Sequence, residues 1–172
     1  MKSGMPTRTR PTEEVEAAMS LTTRLFAFLL AVVFAGCQNE PRRNLDSVES
    51  LTLYSIDGTE ASMGQESAAG ETFRGYPLLG QIDITASQSR QEIADAINSS
   101  ISQSDGLVAA CFWPRHALRV RAQGQTIDYV VCFQCRQLEV YEGKSRTMIP
   151  IETTAEPVLN RWLEQAGIPL AR

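Results

Sequence analysis

Four apolar segments in the second half of the chain are separated by short turns, and this pattern constrains the fold more than any other feature. The segments are 107–112, 116–121, 126–133 and 137–141. They are rich in β-branched, aliphatic and aromatic residues, and the connections between them are polar or contain glycine. Because such short connections join antiparallel neighbours, this half of the chain is predicted to form an antiparallel β-meander.

The dipeptide 123–124, Gln-Gly, predicts the register of one hairpin in this meander. A two-residue turn there places Leu118 opposite Tyr129 on the apolar face. On the other face Arg119 lies opposite Asp128, an opposite-charge pair worth about 0.2–1 kcal/mol. Apolar pattern and charge therefore predict the same register.

Two segments have a helical period instead. A capping box at 89–92 precedes isoleucines spaced four residues apart, and a second box at 153–156 precedes another apolar face that ends at Gly167. Further strands are predicted at 48–56 and 80–85. The resulting fold class is α+β: an antiparallel β-meander sheet with two helices packed on one face.

An apolar run at 25–36 ends in Gly36-Cys37 and has the length of a signal-peptide core rather than of a membrane span. Phe34-Ala35-Gly36-Cys37 resembles the lipobox of bacterial lipoproteins. This resemblance implies that a diacylglycerol is attached to Cys37 and that the chain is cleaved before it. Leucine is usual where Phe34 stands, so ordinary cleavage near Ala35 and an uncleaved anchor remain alternatives.

These features divide the chain into an upstream extension with a signal peptide (1–36), a lipidated tether (37–47) and a single α+β domain (48–172). Met19 is an alternative start, and 58–75 is predicted to be a long mobile loop because it has little to bury. The predicted location is the cell envelope, where the lipid anchors the protein on the extracytoplasmic side of a membrane. The net charge is −4 and no basic block is present, so nucleic acid is not an expected partner.

The predicted hairpin register also gathers three cysteines and the single histidine at one end of the sheet: Cys111, His116, Cys132 and Cys135. This set matches a Cys₃His structural zinc site, so zinc is the candidate cofactor. Export favours a disulfide instead, and Cys111 with Cys135 is the pair that the register brings closest. Reactive-thiol chemistry is the third alternative. The cluster is expected mainly to stabilise the fold, whichever bond it forms.

Arginines 115, 119 and 121 form the densest cationic group and are candidates for binding an anion. The alternative is a solvated sheet face with cross-strand ion pairs, which we favour because no glycine-rich cradle accompanies Arg115, Arg119 and Arg121. A Cys–His nucleophilic pair lacks an evident third orienting group, so no catalytic residue is predicted.

Four elements of the chain resemble a family of small uncharacterised bacterial proteins, many of them with lipoprotein signals. The elements are 73–80, Ala-Cys-Phe-Trp-Pro-Arg-His at 110–116, Val-Cys-Phe-Gln-Cys at 131–135, and 166–170. The resemblance covers most of the domain and implies no activity. The expected function is thus that of a lipid-anchored envelope protein, a binding or structural module stabilised by its Cys/His corner. A metal- or thiol-dependent envelope enzyme is the alternative.

Overall fold

Seven antiparallel strands form the sheet of this protein. A computed structural model describes Leu45, residues 47–59 and residues 70–171, so the apolar run, Cys37 and most of the predicted loop at 58–75 lie outside the described residues. The strands are β1 (Val48–Ile56), β2 (Thr72–Phe73), β3 (Tyr76–Asp83), β4 (His116–Ala122), β5 (Gln125–Cys132), β6 (Gln137–Glu142) and β7 (Ser145–Pro150). Their order across the sheet is β2-β3-β1-β4-β5-β6-β7, so β4, β5 and β6 are three of the four strands of the predicted meander, and β7 extends it.

The β4–β5 hairpin has the predicted register. Leu118 pairs with Tyr129, and Arg119 pairs with Asp128. The turn residues at 123–124 have φ values of 52° and 72°. Positive φ at both central positions gives a turn whose twist matches that of the flanking strands, which explains why two residues suffice.

The two helices, α1 (Ser87–Ser102) and α2 (Glu156–Gln165), contribute to the same apolar core as the strands. The large side chains of this core are Leu51, Leu53, Leu118, Val120, Tyr129 and Leu138 from the strands, with Ile93, Ile97, Leu159 and Leu163 from the helices. Burial of each large aliphatic side chain contributes about 1.5–3 kcal/mol. An ion pair between Glu92 and Arg161 also joins the helices. The predicted α+β class is confirmed.

Both predicted capping boxes are wrong. Helix α1 follows Ala86 and has no side-chain cap, so the box at 89–92 lies inside the helix. Helix α2 follows Ala155, also without a side-chain cap. Pro157 lies in the first turn of this helix, where a backbone donor is not needed. The helix begins at Glu156, which is later than the box at 153–156 implies.

The strand predicted at 107–112 is also wrong, because residues 107–115 form a loop. Leu107 and Val108 are 66% and 50% exposed, so the start of this apolar run lies outside the core, whereas Phe112 packs against the core residues of the opposite sheet face. The loop bonds instead to the turn after β5, where the Ala109 N–H donates to the Cys135 carbonyl at 3.0 Å. Pro114 has no N–H to donate to the hydrogen bonds of a β-sheet, which is consistent with the absence of a strand before His116.

Two strands were not predicted, and one was displaced. In β7 only Ile149 is buried, because an edge strand packs few of its side chains against the core. Strand β2 has two residues, too few for a visible period. Strand β3 covers Tyr76–Asp83 rather than 80–85, since the positive φ values of Arg74 and Gly75 place the β2–β3 turn immediately before it.

Candidate functional site

One end of the β4–β5 hairpin is covered by the 107–115 loop and by the turn at 133–136. We call residues 111–116 and 131–136 the corner. The end of strand β1 and the residues after it hold the corner, since the Ile56 N–H donates to the Arg115 carbonyl at 3.1 Å and the Gly58 N–H donates to the Pro114 carbonyl at 2.9 Å. A Cβ at Gly58 would lie 2.3 Å from Pro114 Cδ and 2.5 Å from its carbonyl oxygen, so only glycine permits this contact.

The sulfur atoms of Cys111, Cys132 and Cys135 lie in the corner, but their pairing differs from the prediction. Cys132 and Cys135 form a disulfide with a Cα–Cα distance of 5.3 Å. Cys111 is the spare thiol, and its Sγ is 2.7 Å from Sγ of Cys135. The predicted partners are therefore close, yet the bond closes within the turn that follows β5, because Cys111 lies on a loop rather than on a strand with a fixed register.

The described residues contain no set of side chains placed to bind zinc. Within residues 47–59 and 70–171, no group of three or more His, Cys, Asp or Glu side chains is placed to hold a metal ion. His116 is bonded to Asn160 rather than facing the sulfurs, and two of the thiols are consumed by the disulfide. The structure therefore does not place these four side chains as a Cys₃His ligand set, which was one of the three alternatives from the sequence.

His116 is a buried, neutral imidazole at the start of β4. Its side chain is 2% exposed, and Nε2 is 2.6 Å from Oδ1 of Asn160 in α2. A carbonyl oxygen only accepts, so Nε2 carries the proton and Nδ1 is left as an acceptor. Burial lowers the pKa of His116 to about 4, because charging the ring would cost its hydration; the Asn160 bond partly opposes this shift and Arg115 adds to it.

A small, partly open pocket lies beside His116, and its cavity volume of about 20 Å³ is room for about one water molecule. Its walls are Trp113, Arg115, His116, Phe133, Gln134 and Glu156. Two of these residues each hold a buried polar atom, Arg115 Nε and His116 Nδ1, that has no hydrogen-bond partner among the described residues. The ring centroids of His116 and Phe133 lie 5.4 Å apart in an edge-on arrangement, which fixes one side of the pocket. The residues that line the pocket thus include an unsatisfied donor, an unsatisfied acceptor and aromatic side chains.

The three candidate anion-binding arginines do not act together. Arg119 donates twice to Asp128, at 2.7 and 2.9 Å, and Arg121 lies 3.3 Å from Glu49. The alternative of paired charges on a sheet face is therefore correct for these two. Arg115 has no ion pair within the described residues and lines the pocket instead.

Sequence reasoning missed five residues that shape the site. Trp113, Phe133 and Gln134 lie inside the two cysteine motifs, so their position in the corner was available from the sequence. Glu156 and Asn160 come from α2, four residues apart on one helix face. Nothing in the sequence indicates that this face approaches His116, because that contact depends on where the helix packs.

No protein family model, curated protein or solved structure matches the chain. The fold and the corner define the class: an α+β domain with a disulfide beside a small polar pocket. Among the residues described, neither helix is both long and apolar enough to cross a membrane. The resemblance to small bacterial lipoproteins stays a prediction.

Proposed function

We propose that this protein is a lipid-anchored cell-envelope binding module whose pocket receives a small zwitterion, an α-amino acid or the equivalent end of a peptide. The anchoring rests on the apolar run at 25–36 and on Cys37. The binding role rests on the pocket. The observation that carries it is that two residues lining one pocket each hold a buried polar atom without a partner, Arg115 Nε and His116 Nδ1.

Arg115 Nε, His116 Nδ1 and the side chain of Glu156 define the chemical groups that the ligand must carry. A buried polar group without a partner costs about 1–3 kcal/mol, so a ligand that bonds to both atoms gains this free energy on binding. Arg115 supplies a positive donor suited to a carboxylate. His116 Nδ1 requires a donor, and Glu156 on the same pocket favours a cation. A carboxylate and an ammonium on one small molecule satisfy all three residues.

The pocket walls limit the size and shape of such a ligand. Trp113 and Phe133 give flat apolar surfaces, and a cavity of about 20 Å³ admits only one end of a ligand, an ammonium or a carboxylate group, while the rest of the ligand stays outside. Neutrality of His116 also matters, since an imidazolium would repel the ammonium. The pKa of about 4 keeps Nδ1 an acceptor at neutral pH.

The test is calorimetric titration of the full-length protein, purified in detergent, with glycine, acetate and methylammonium at neutral pH. Glycine should bind with a Kd on the order of millimolar and at least about tenfold more tightly than either half-molecule. Arg115→Gln should abolish measurable binding, and Glu156→Gln should remove the preference for glycine over acetate. Arg121→Gln is the matched control, because Arg121 lies on the same segment but pairs with Glu49 outside the pocket. Equal binding of acetate and glycine, or none of either, would contradict the proposal.

The anchor has a separate test. Cys37→Ser should leave an unprocessed precursor or release the protein into the soluble envelope fraction, because the thiol that receives the lipid is gone. Cys111→Ser, which also removes one thiol, should remain membrane-bound. Intact-mass data that show an unmodified Cys37 thiol in the wild-type protein would refute lipidation.

A further inference from the structure

We propose that the Cys111 thiol exchanges with the Cys132–Cys135 disulfide, and that Cys111 is the sulfur through which external thiols reduce this bond. This activity is independent of ligand binding in the pocket. It rests on the position of the three sulfur atoms and on their difference in exposure.

Cys135 is the central sulfur of the three. It is bonded to Cys132, and its Sγ is 2.7 Å from Sγ of Cys111. Cys132 and Cys135 are 1% and 0% exposed, whereas Cys111 is partly exposed. An external thiol therefore reaches Cys111 but not the disulfide.

Backbone contacts hold the attacking thiol in place. The Ala109 N–H donates to the Cys135 carbonyl at 3.0 Å, and the Trp113 N–H donates to Cys135 Sγ at 3.4 Å. These bonds lie on both sides of Cys111. The side-chain amide of Gln137 adds bonds to the carbonyls of Ala109 and Cys111. A thiol fixed beside its target reacts as if it were highly concentrated.

The exchange step is balanced without an oxidant or a reductant. The Cys111 thiolate attacks Cys135 Sγ, a Cys111–Cys135 bond forms, and the Cys132–Cys135 bond breaks with its electron pair moving to Cys132. The backbone N–H of Cys135 lies 3.2 Å from Cys132 Sγ and stabilises the departing thiolate. The proton that Cys111 released then passes to Cys132.

The second step uses a small external thiol of the glutathione type. Its thiolate attacks Cys111 Sγ and expels the Cys135 thiolate, which leaves a mixed disulfide on Cys111. A second external thiol attacks the external sulfur of that mixed disulfide and frees the Cys111 thiolate. In total two external thiols are oxidised to one disulfide, and Cys132 and Cys135 end as thiols.

The experiment measures the initial rate at which reduced glutathione reduces the disulfide of the folded full-length protein, without amino-acid ligand present. Cys111→Ser should slow this reduction at least about tenfold, because attack must then reach buried sulfurs. Ala110→Ser is the matched control: it adds a hydroxyl to the same loop, keeps all three sulfurs and should react at the wild-type rate. Thermal melts establish that each variant is folded.

Equal reduction rates for wild type and Cys111→Ser would overturn the proposal. A second variant, Cys132→Ser, removes the leaving sulfur. After incubation with oxidised glutathione, peptide mapping should show a Cys111–Cys135 disulfide in that variant. Two separate glutathione adducts in place of this bond would overturn the proposed contact between the two sulfurs.

Discussion

Replacing Arg74 and Arg119 together with Met is expected to lower the free energy of unfolding by about 3–5 kcal/mol, which is the usual cost of leaving a buried charge without a partner. The reason is Asp128, a carboxylate that is 1% exposed on the β5 strand. Arg119 reaches it from the neighbouring strand β4, and Arg74 reaches it from the β2–β3 turn. Met keeps much of the apolar stem of each arginine and removes only the charged end.

The single variants should behave differently from the pair. Arg119→Met leaves Asp128 with Arg74, which lies 2.6 Å away, so we expect a loss of no more than about 1.5 kcal/mol. Both guanidinium groups are partly exposed, with side-chain exposures of 32% and 50%, and either can remain hydrated when the other is absent. The losses should therefore be strongly non-additive.

Urea denaturation of the two singles and the double gives this coupling energy. Asp128→Asn in the double-variant background is the control, because it removes the buried charge and should restore part of the lost stability. A double variant whose loss is the sum of two small single losses would show that Asp128 does not depend on either arginine.

Lowering the pH from about 7.5 to 4 is expected to cost the wild-type protein about 3 kcal/mol more than it costs His116→Gln. The folded-state pKa of His116 is about 4, against 6.5 for an unperturbed histidine. On acidification the unfolded chain therefore binds a proton before the folded one does. The contribution of the neutral ring is complete above pH 6.5 and is lost as the pH falls towards 4.

The measurement is urea denaturation of both proteins at several pH values in that range. Carboxylates titrate in both proteins, and the difference between the two profiles isolates the imidazole because the chain has a single histidine. Gln can still donate to Asn160 and is therefore the conservative replacement. Parallel profiles would mean that His116 titrates normally in the folded state.

The hairpin register was predictable because independent local signals agree there. The apolar pairing of Leu118 with Tyr129, the charge pairing of Arg119 with Asp128 and a turn at 123–124 that tolerates positive φ all specify the same alignment. No distant part of the chain is needed to choose it. The core positions of the two helices follow from periodicity in the same way.

The disulfide pairing could not be predicted from the same register. The prediction of a Cys111–Cys135 bond assumed that the strand continues back to Cys111. In the structure, 107–115 is a loop that bonds to the turn after β5. Once the strand stops, the register no longer fixes where Cys111 lies. Three sulfurs within one corner then allow more than one pair, and sequence spacing alone does not decide between them.

The pocket was beyond sequence reasoning for a different reason. Glu156 and Asn160 approach His116 from a helix 40 or more positions later in the chain, so their placement depends on tertiary packing. Arg115 was identified as a cation, but its neighbours on the chain, Arg119 and Arg121, are paired elsewhere. What makes Arg115 distinct is burial of its Nε without a partner, which no sequence pattern reveals.

The most direct test of the proposed pocket is ¹⁵N NMR of the imidazole ring, which gives a single set of signals because the chain has one histidine. In the free protein Nε2 should carry the proton and Nδ1 should be bare. Saturating glycine should shift the Nδ1 resonance in the direction of an accepted hydrogen bond and leave Nε2 protonated. An Nδ1 resonance that does not move with glycine, or that already carries the proton without it, would contradict the assignment of His116 as the acceptor for an ammonium group.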